Sequence, residues 1–553
     1  MRAFEQLHGQ RTSERHRWSV GAADGLVAAV LLALMVGWLG AGPLFDVDEG
    51  AFAEASREML ASGDWGHTTL NGADRFDKPI LVYWLQAAAL ALIGPHEWAA
   101  RLPSALCAWA WAMATWAFVA PRWGAAAGRL AACVLLTSLG PLSIGRAATA
   151  DALLNMLLAL SLFDVWRFLE AATSEGIDDT RQRSARLALR RCFLWVGLGV
   201  LTKGPVALLI PAGAAFVWAA ARGWAWRAVG RALADVPAWA ILLVVAVPWY
   251  AYALQRHGWA FIDGFLVRHN LERFSGPLQG HGGGPLYYVL MLPLLMWPWW
   301  PLLLPLLRAW RALLADEATR FLLAWAGFVW VFFSLSGTKL PHYALYGYTP
   351  LAVLGACWLA RQRQLAGVAA AVVAACVALV GAGAASGSLA QAAARRFGNE
   401  HWRAVFDMSA LPAGPPLGGA ALAVTVILAA AAWVWWRRAQ GASALAAAAL
   451  VGAAWTAAEV VPWWARAFQE PVKTLALEPA VRSFPLVQWQ LHQPSVGFYR
   501  GAPAPRRAPQ PGEVALTRLD RFERTGRAEV PAAEIVRQER GFALVVVPRE
   551  PAR

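Results

Sequence analysis

The sequence predicts a polytopic α-helical membrane protein, and three observations carry that reading. Of 553 residues, 58% are hydrophobic and only 15% are charged, against about 45–50% and about 25% in soluble domains; the mean hydropathy is +0.43. Apolar runs recur near 22–42, 98–120, 125–145, 150–169, 193–202, 205–221, 237–255, 286–307, 321–336, 341–360, 365–385, 415–436 and 443–463, which at about 20 residues per span make about 13 transmembrane helices. The 32 tryptophans often stand near the ends of these runs, as Trp297, Trp299 and Trp300 do, and suit an interfacial aromatic belt. A formal charge of +14 would point to nucleic acid in a soluble protein. Here Lys and Arg fall largely in short loops between apolar runs, so they set topology and no nucleic-acid partner is expected.

Arg2, Arg11, Arg15 and Arg17 precede the first run, which has no small-residue cleavage site, so it reads as an uncleaved first span. The runs 193–202 and 205–221 are short or joined. The segment Pro79–Gly94 competes as a further span, but counting it would put the basic loop 171–192 outside. The positive-inside bias therefore lays 79–94 at, or re-entering, the outer interface. The N-terminus then lies inside and the C-terminus outside, with three larger external segments, 43–97, 256–285 and 386–411. After residue 464 the chain turns polar and Pro-rich, with strand-like runs such as Ala543–Pro548. This divides it into a membrane domain, 1–463, and a small external α/β domain, 464–553. Cys107, Cys133, Cys192, Cys357 and Cys376 lie in or beside apolar runs without metal-ligand spacing and read as packing residues.

Chemistry concentrates outside. Directly after the first run stand Asp46, Asp48 and Glu49, acids too costly to sit in lipid. Gly50–Ser62 forms an amphipathic pattern, with Glu54, Arg57, Glu58 and Ala61 on one face and Phe52, Ala55 and Met59 on another. Asp48 is either a reactive carboxylate or a helix N-cap. In Asp77-Lys78-Pro79 the proline suits a first helical turn, leaving Asp77 and Lys78 at an end that favours anions; the plain alternative is a cap and a snorkelling lysine. Short external connections return more cations to this face against the charge bias: Arg146 before Asp151, Lys203 before Gly204-Pro205, and Lys339 before Leu340-Pro341-His342-Tyr343. Such a set suits a phosphate. The segment 256–285 adds Arg268-His269-Asn270-Leu271-Glu272-Arg273-Phe274 and the Gly-rich Gly280-His281-Gly282-Gly283-Gly284, which permits a mobile loop over a substrate. A carboxylate to take a proton and cations to stabilise a leaving lipid phosphate define one reaction class, group transfer from a phosphate carrier.

The ordered series Asp48-Glu49-Gly50, Ala53-Glu54, Arg57-Glu58-Met59, Gly63-Asp64-Trp65, Leu70-Asn71-Gly72, Phe76-Asp77-Lys78-Pro79 and Tyr83-Trp84-Leu85 resembles the first periplasmic loop of ArnT-like (aminoarabinose transferase-like) glycosyltransferases, relatives of the protein O-mannosyltransferases in the GT-C superfamily. The resemblance continues through Thr149-Ala150-Asp151, Lys203-Gly204-Pro205, His269–Phe274, Lys339–Tyr343 and Pro494–Tyr499. It implies a GT-C fold with interfacial helices in the first periplasmic loop. It also implies a bacterial inner-membrane enzyme moving a sugar, 4-amino-4-deoxy-L-arabinose in the aminoarabinose transferases, from undecaprenyl phosphate to a periplasmic-face acceptor such as lipid A. It assigns Asp48, with Glu49 and Asp151, to catalysis; Lys78, Arg268, Lys203, Lys339 and Arg57 to the carrier phosphate; and Tyr83, His269, Tyr343 and Tyr346 to the substrate cavity. No obligatory cofactor is implied, and a divalent metal would use Asp77 and His269. The chain departs from the pattern at Gly50-Ala51-Phe52, where many aminoarabinose transferases have Thr/Ser-Arg-Tyr, and at Asp77, where Glu is common. Two alternatives stay open: transfer to protein or another glycan, and an anionic-lipid transporter or flippase. Paired halves typical of transporters are not evident in the sequence.

Overall fold

In a computed structural model of the protein, residues 21–174, 178–223, 226–276, 282–362, 366–407, 414–436 and 440–549 are described. Arg2, Arg11, Arg15, Arg17, Gly280, His281, Arg363, Arg437 and Arg438 lie outside them. Each of the thirteen apolar runs is helical in whole or in part. Among the described residues, 7 helices are long and apolar enough to cross a membrane: Glu97–Trp123, Asp151–Ala172, Val236–His257, Glu317–Leu335, Gly367–Ala384, Leu417–Trp435 and Gly441–Ala476. The pair Ala125–Thr137 and Leu139–Gly145, bent by 69°, makes an eighth if counted as one span, and Ala22–Val36, Leu81–Ile93 and Val206–Ala221 are shorter apolar helices. The chain is a multi-pass helical membrane protein.

Several elements differ from expectation for identifiable reasons. The run 193–202 is the C-terminal part of a 25-residue helix, Asp179–Lys203, capped by Asp178; the basic stretch 181–191 is helical rather than loop. The run 286–307 is broken into Tyr287–Leu295, Trp300–Leu302 and Leu303–Arg308, as Pro293, Pro298, Pro301 and Pro305 withhold amide donors. Trp299 is fully buried, not interfacial, and its indole finds Thr137 Oγ1 at 2.8 Å. Residues 259–275, expected as a mobile loop, are helical with a π-helical stretch over Ile262–Glu272, because Phe261 and Phe265 pack with Ala253 against Phe76, Trp249 and Tyr250.

Leu81–Ile93 has 13 residues, about 20 Å of helix against a hydrocarbon thickness of about 30 Å. Val82, Tyr83, Gln86, Ala87, Ala89 and Leu90 are buried, while Leu85, Leu92 and Ile93 are exposed, as befits a helix lying along an interface. Before it, strands Thr69–Leu70 and Ala73–Asp74 form a hairpin. Its turn residues Asn71 and Gly72 both have positive φ, +53° and +80°, the pairing an Asn-Gly turn favours.

The C-terminal region carries a four-stranded sheet in the order Leu486–Gln488, Val514–Arg518, Phe542–Val546, Glu534–Glu539. Its first two strands are parallel and the other pairings antiparallel. Helix Val461–Ala476 packs below it, and Val405 and Phe406 of the 386–411 segment join the same apolar cluster.

Candidate active site

The site is built on the first external segment. Its helix spans Asp48–Ser62 with Val47 at the N-cap, so Asp48 is not the cap. Its carboxylate is exposed and, among the described residues, takes part in no hydrogen bond or ion pair. It acts electrostatically on Arg75 and His342. Glu49, one residue on, turns inward: Arg101 donates to both its oxygens, Nε to Oε1 at 2.8 Å and Nη2 to Oε2 at 2.7 Å. The amides of Phe45 and Ala148 complete its shell at 2.8 and 2.7 Å. Glu49 therefore anchors the loop and is not free for catalysis.

The apolar face of this helix, with Phe52, Ala55 and Met59, packs on Ile80, Tyr83, Leu153 and Leu201. The polar face is buried under the C-terminal helix Ser495–Arg500. A Cβ on Gly50 would meet Ser495 N at 2.6 Å, and one on Gly497 would meet the Glu54 carboxylate carbon at 2.7 Å; two glycines thus let the two helices touch. Arg57 is engaged by Glu54 at 2.7 and 2.8 Å and by Gly501 O at 3.1 Å. It holds the two regions together rather than facing the cation cluster. Asp46 accepts from the amide and hydroxyl of Ser495. Burial pushes its carboxyl up to about 8 against those bonds, which makes Asp46 a docking group.

Beside Asp48 the cations gather. Arg75 reaches Tyr83 Oη at 3.0 Å and Asp77 Oδ2 at 2.9 Å and lies 5.6 Å over the Phe52 ring. Lys78 Nζ donates to Asp77 Oδ1 at 2.7 Å. Burial raises the Asp77 carboxyl, but Lys78, Arg75 and His269 outweigh it and hold it far below the usual carboxylate range. Lys78 is held below the usual ammonium range, chiefly by burial, which the attraction of Asp77 does not overcome; Lys203 and Arg273 add repulsion. Asp151 starts helix Asp151–Ala172 and Lys203 ends helix Asp179–Lys203, ends whose dipoles favour those charges. Their side chains meet at 2.5 Å. Tyr346 Oη accepts from Lys203 at 2.7 Å and donates to Asp151 at 3.0 Å. His342 stands 3.7 Å from Asp151, and the Lys203 ammonium lies 5.4 Å over the Tyr343 ring.

Arg273, not Arg268, completes the group. Arg273 acts on Lys78, His269, His342 and Tyr343, and its Nε is buried without a hydrogen-bond partner among the described residues. Gly337 N and Thr338 N bond Phe274 O and Arg273 O at 2.7 and 3.1 Å, fixing its backbone. Arg268 is exposed and makes no contact with the cluster among the described residues. Lys339 is also elsewhere: its buried ammonium donates to Ser334 O and Ser336 O at 2.9 and 2.5 Å, capping the end of helix Glu317–Leu335. Arg75, Arg273 and His342 are thus the site residues not singled out from sequence. For Arg273 the only signal was its place in the Asn-Leu-Glu-Arg-Phe stretch.

Four full cations, Lys78, Arg75, Lys203 and Arg273, face Asp48, Asp77 and Asp151. The surplus is positive, and Arg273 holds a donor in reserve; the arrangement can accept an anion. His269 Nδ1 is 3.1 Å from Asp77 Oδ1 but not aligned as a hydrogen bond. Among the described residues no group of three His, Cys, Asp or Glu side chains is placed to hold a metal ion, so Asp77 and His269 lack a third protein ligand.

Residues 77–252 match the family model described as dolichyl-phosphate-mannose-protein mannosyltransferase. An undecaprenyl phosphate-alpha-4-amino-4-deoxy-L-arabinose arabinosyl transferase of Edwardsiella ictaluri is 30% identical over 331 residues, 58% of this chain and 56% of the relative. One from Serratia proteamaculans is 30% identical over 320 residues, 57% and 55% of the two chains. The chain thus spans about half the length of the curated relatives it matches. The crystal structure of ArnT from Cupriavidus metallidurans bound to undecaprenyl phosphate superposes with a TM-score of 0.78 at 20% identity, covering 97% of this chain and 100% of that one. Its apo state gives 0.77 at 21% identity, covering 96% and 100%. The chain is a polytopic membrane protein of the GT-C fold. Its sequence is similar to these arabinosyl transferases over somewhat more than half its length, and its helices are arranged as in the Cupriavidus metallidurans structures.

Proposed function

We propose that the chain is an inner-membrane glycosyltransferase that takes a sugar from undecaprenyl phosphate and passes it to an acceptor at the periplasmic face. The observation that carries this reading is the surplus-cation cluster of Lys78, Arg75, Lys203 and Arg273 beside the carboxylate of Asp48, which is unpaired among the described residues. In the transfer, an acceptor oxygen bonds the anomeric carbon as the bond to the carrier phosphate oxygen breaks. Undecaprenyl phosphate leaves with the electron pair, and the acceptor's proton passes to Asp48. Lys78 and Arg273 stabilise the charge growing on the leaving phosphate, with Lys203 held by Asp151 and Tyr346 behind them. Tyr83, Tyr343, Tyr346 and His269 stand around the cluster, against Arg75, Lys203 and Asp77. Relatives named undecaprenyl phosphate-alpha-4-amino-4-deoxy-L-arabinose arabinosyl transferases support 4-amino-4-deoxy-L-arabinose as the sugar, and lipid A is the acceptor we assign to it. In this topology the N-terminus is cytoplasmic, while residues 464–553 form a periplasmic domain docked on the loop that bears Asp48. The mannosyltransferase family match over 77–252 supports a second reading, transfer to protein.

Mass spectrometry of lipid A and periplasmic glycoconjugates, with and without the protein, tests this. A one-sugar mass on lipid A that depends on the protein is expected. A sugar lost from glycoproteins instead moves the acceptor, and no covalent difference anywhere refutes transfer. The anion site is tested by titrating the purified chain with undecaprenyl phosphate. Lys78→Ala and Arg273→Ala are each expected to weaken binding by about 10- to 100-fold, the equivalent of one charge-assisted hydrogen bond, while Arg268→Ala binds as the parent does. Equal losses from both arginines would undo the assignment of Arg273.

A further inference from the structure

A cavity of about 300 Å³ lies on the other side of the loop anchor, bounded by the end of the first helix, the bent pair at 125–145 and the start of helix Val461–Ala476. It shares none of Lys78, Asp77, Asp151, Lys203 or Arg273 with the cation cluster. Its walls are mainly apolar, with Leu39, Phe45, Leu142 and Ala457 among them, but Arg146 also lines it. Arg146 is only 8% exposed. Its Nη1 donates to Leu34 O and Met35 O at 2.7 and 3.0 Å, and its Nη2 reaches Ala457 O at a long 3.4 Å. Its Nε is buried with no hydrogen-bond partner among the described residues. No carboxylate pairs with it among the described residues; the acid that lines the cavity, Glu49, is held by Arg101. A buried guanidinium without a counter-ion is costly, and three carbonyls supply partial charge only.

We propose that this cavity binds the head group of an anionic glycerophospholipid, with the phosphodiester on Arg146 and an acyl chain leaving past Trp38 and Val461. Those two rim residues are 52% and 39% exposed, so the cavity opens between apolar side chains of the kind lipid covers. One guanidinium matches the single charge of a phosphodiester. A free phosphate ion would lose its water to apolar walls that return no hydrogen bonds. A zwitterionic head group would bring an ammonium for which no carboxylate is available. Gly42, Phe45, Glu49 and Arg101 all line the cavity, so the lipid rests against the anchor of the loop that carries Asp48 and stiffens it.

Native mass spectrometry and thermal unfolding of the full chain in detergent, titrated with phosphatidylglycerol, test the proposal. One saturable phosphatidylglycerol per chain is expected, with a rise in melting temperature. Arg146→Gln should weaken that adduct at least tenfold. Ala147→Leu, which fills the cavity and leaves the guanidinium in place, should do the same and keeps the test open if Arg146→Gln does not fold. Lys78→Ala should retain the lipid. Equal affinity for phosphatidylethanolamine, saturation by inorganic phosphate, displacement by undecaprenyl phosphate, or undiminished binding in both cavity variants would each overturn it.

Discussion

Asp48→Asn is expected to reduce sugar transfer by a factor on the order of 10²–10⁴, the usual contribution of a positioned proton acceptor, while fold and carrier affinity stay intact. The reasoning is local. Asp48 sits at the first position of its helix with Val47 as cap, and its carboxylate holds nothing together among the described residues. Asparagine keeps its shape and removes only the ability to take a proton. Its neighbours Arg75 and His342 remain in place, since Arg75 is held by Asp77 and Tyr83. Separate measurement of the turnover rate and of undecaprenyl phosphate binding decides the matter: a loss confined to turnover is expected. Full turnover would exclude Asp48 as the base and leave Asp151, already bound by Lys203 and Tyr346, as the carboxylate to examine. The size of the loss also reads the acceptor. A hydroxyl must shed its proton during transfer and suffers the whole factor, whereas a phosphate acceptor already ionised suffers less.

What the sequence makes legible follows how local each signal is. Helices show wherever the apolar run is long, and the Asn-Gly hairpin shows because two residues suffice to specify it. The basic stretch 181–191 reads as a connection because its arginines interrupt the apolar signal used to find spans, although Arg, Leu and Ala all favour helix. Within the site, Lys78, Lys203 and Asp151 stand out as charges on the face where topology disfavours cations. Sequence cannot separate them from Lys339 or Arg57, since what engages those two is tertiary: Ser334 and Ser336 carbonyls for Lys339, Glu54 and Gly501 for Arg57. Arg268 lies within the π-helical stretch Ile262–Glu272 and Arg273 just past its end, and that stretch is seated by Phe261 and Phe265 packing on Trp249 and Tyr250. Phe52 is informative in both registers. It departs from the aminoarabinose transferase pattern in sequence, and in space it supports Arg75 and stacks 5.4 Å from Tyr83 without offering a hydroxyl to substrate.

The adjacent acids Asp48 and Glu49 divide their roles through a residue about fifty positions away, and the largest stability effect is expected there. All five N–H groups of Arg101 are engaged: two on Glu49, and the others on Leu39 O, Gly42 O and Pro43 O at 2.6, 2.8 and 2.7 Å. One side chain thus closes the turn between the first helix and the helix of Asp48. Arg101→Met strands a buried carboxylate and three carbonyls, and is expected to cost about 3–5 kcal/mol, as breaking one side of a buried pair does. Glu49→Gln keeps the shape and should cost less. Glu49→Gln combined with Arg101→Met should recover part of the loss, because no buried charge is then left alone. Thermal and denaturant unfolding of the four proteins checks this, and an Arg101→Met chain as stable as the parent would show that the clamp contributes nothing. Where Arg101→Met still folds, its turnover should fall while undecaprenyl phosphate binding holds, for Lys78 and Arg273 are fixed by other elements and only Asp48 depends on the clamp for its position.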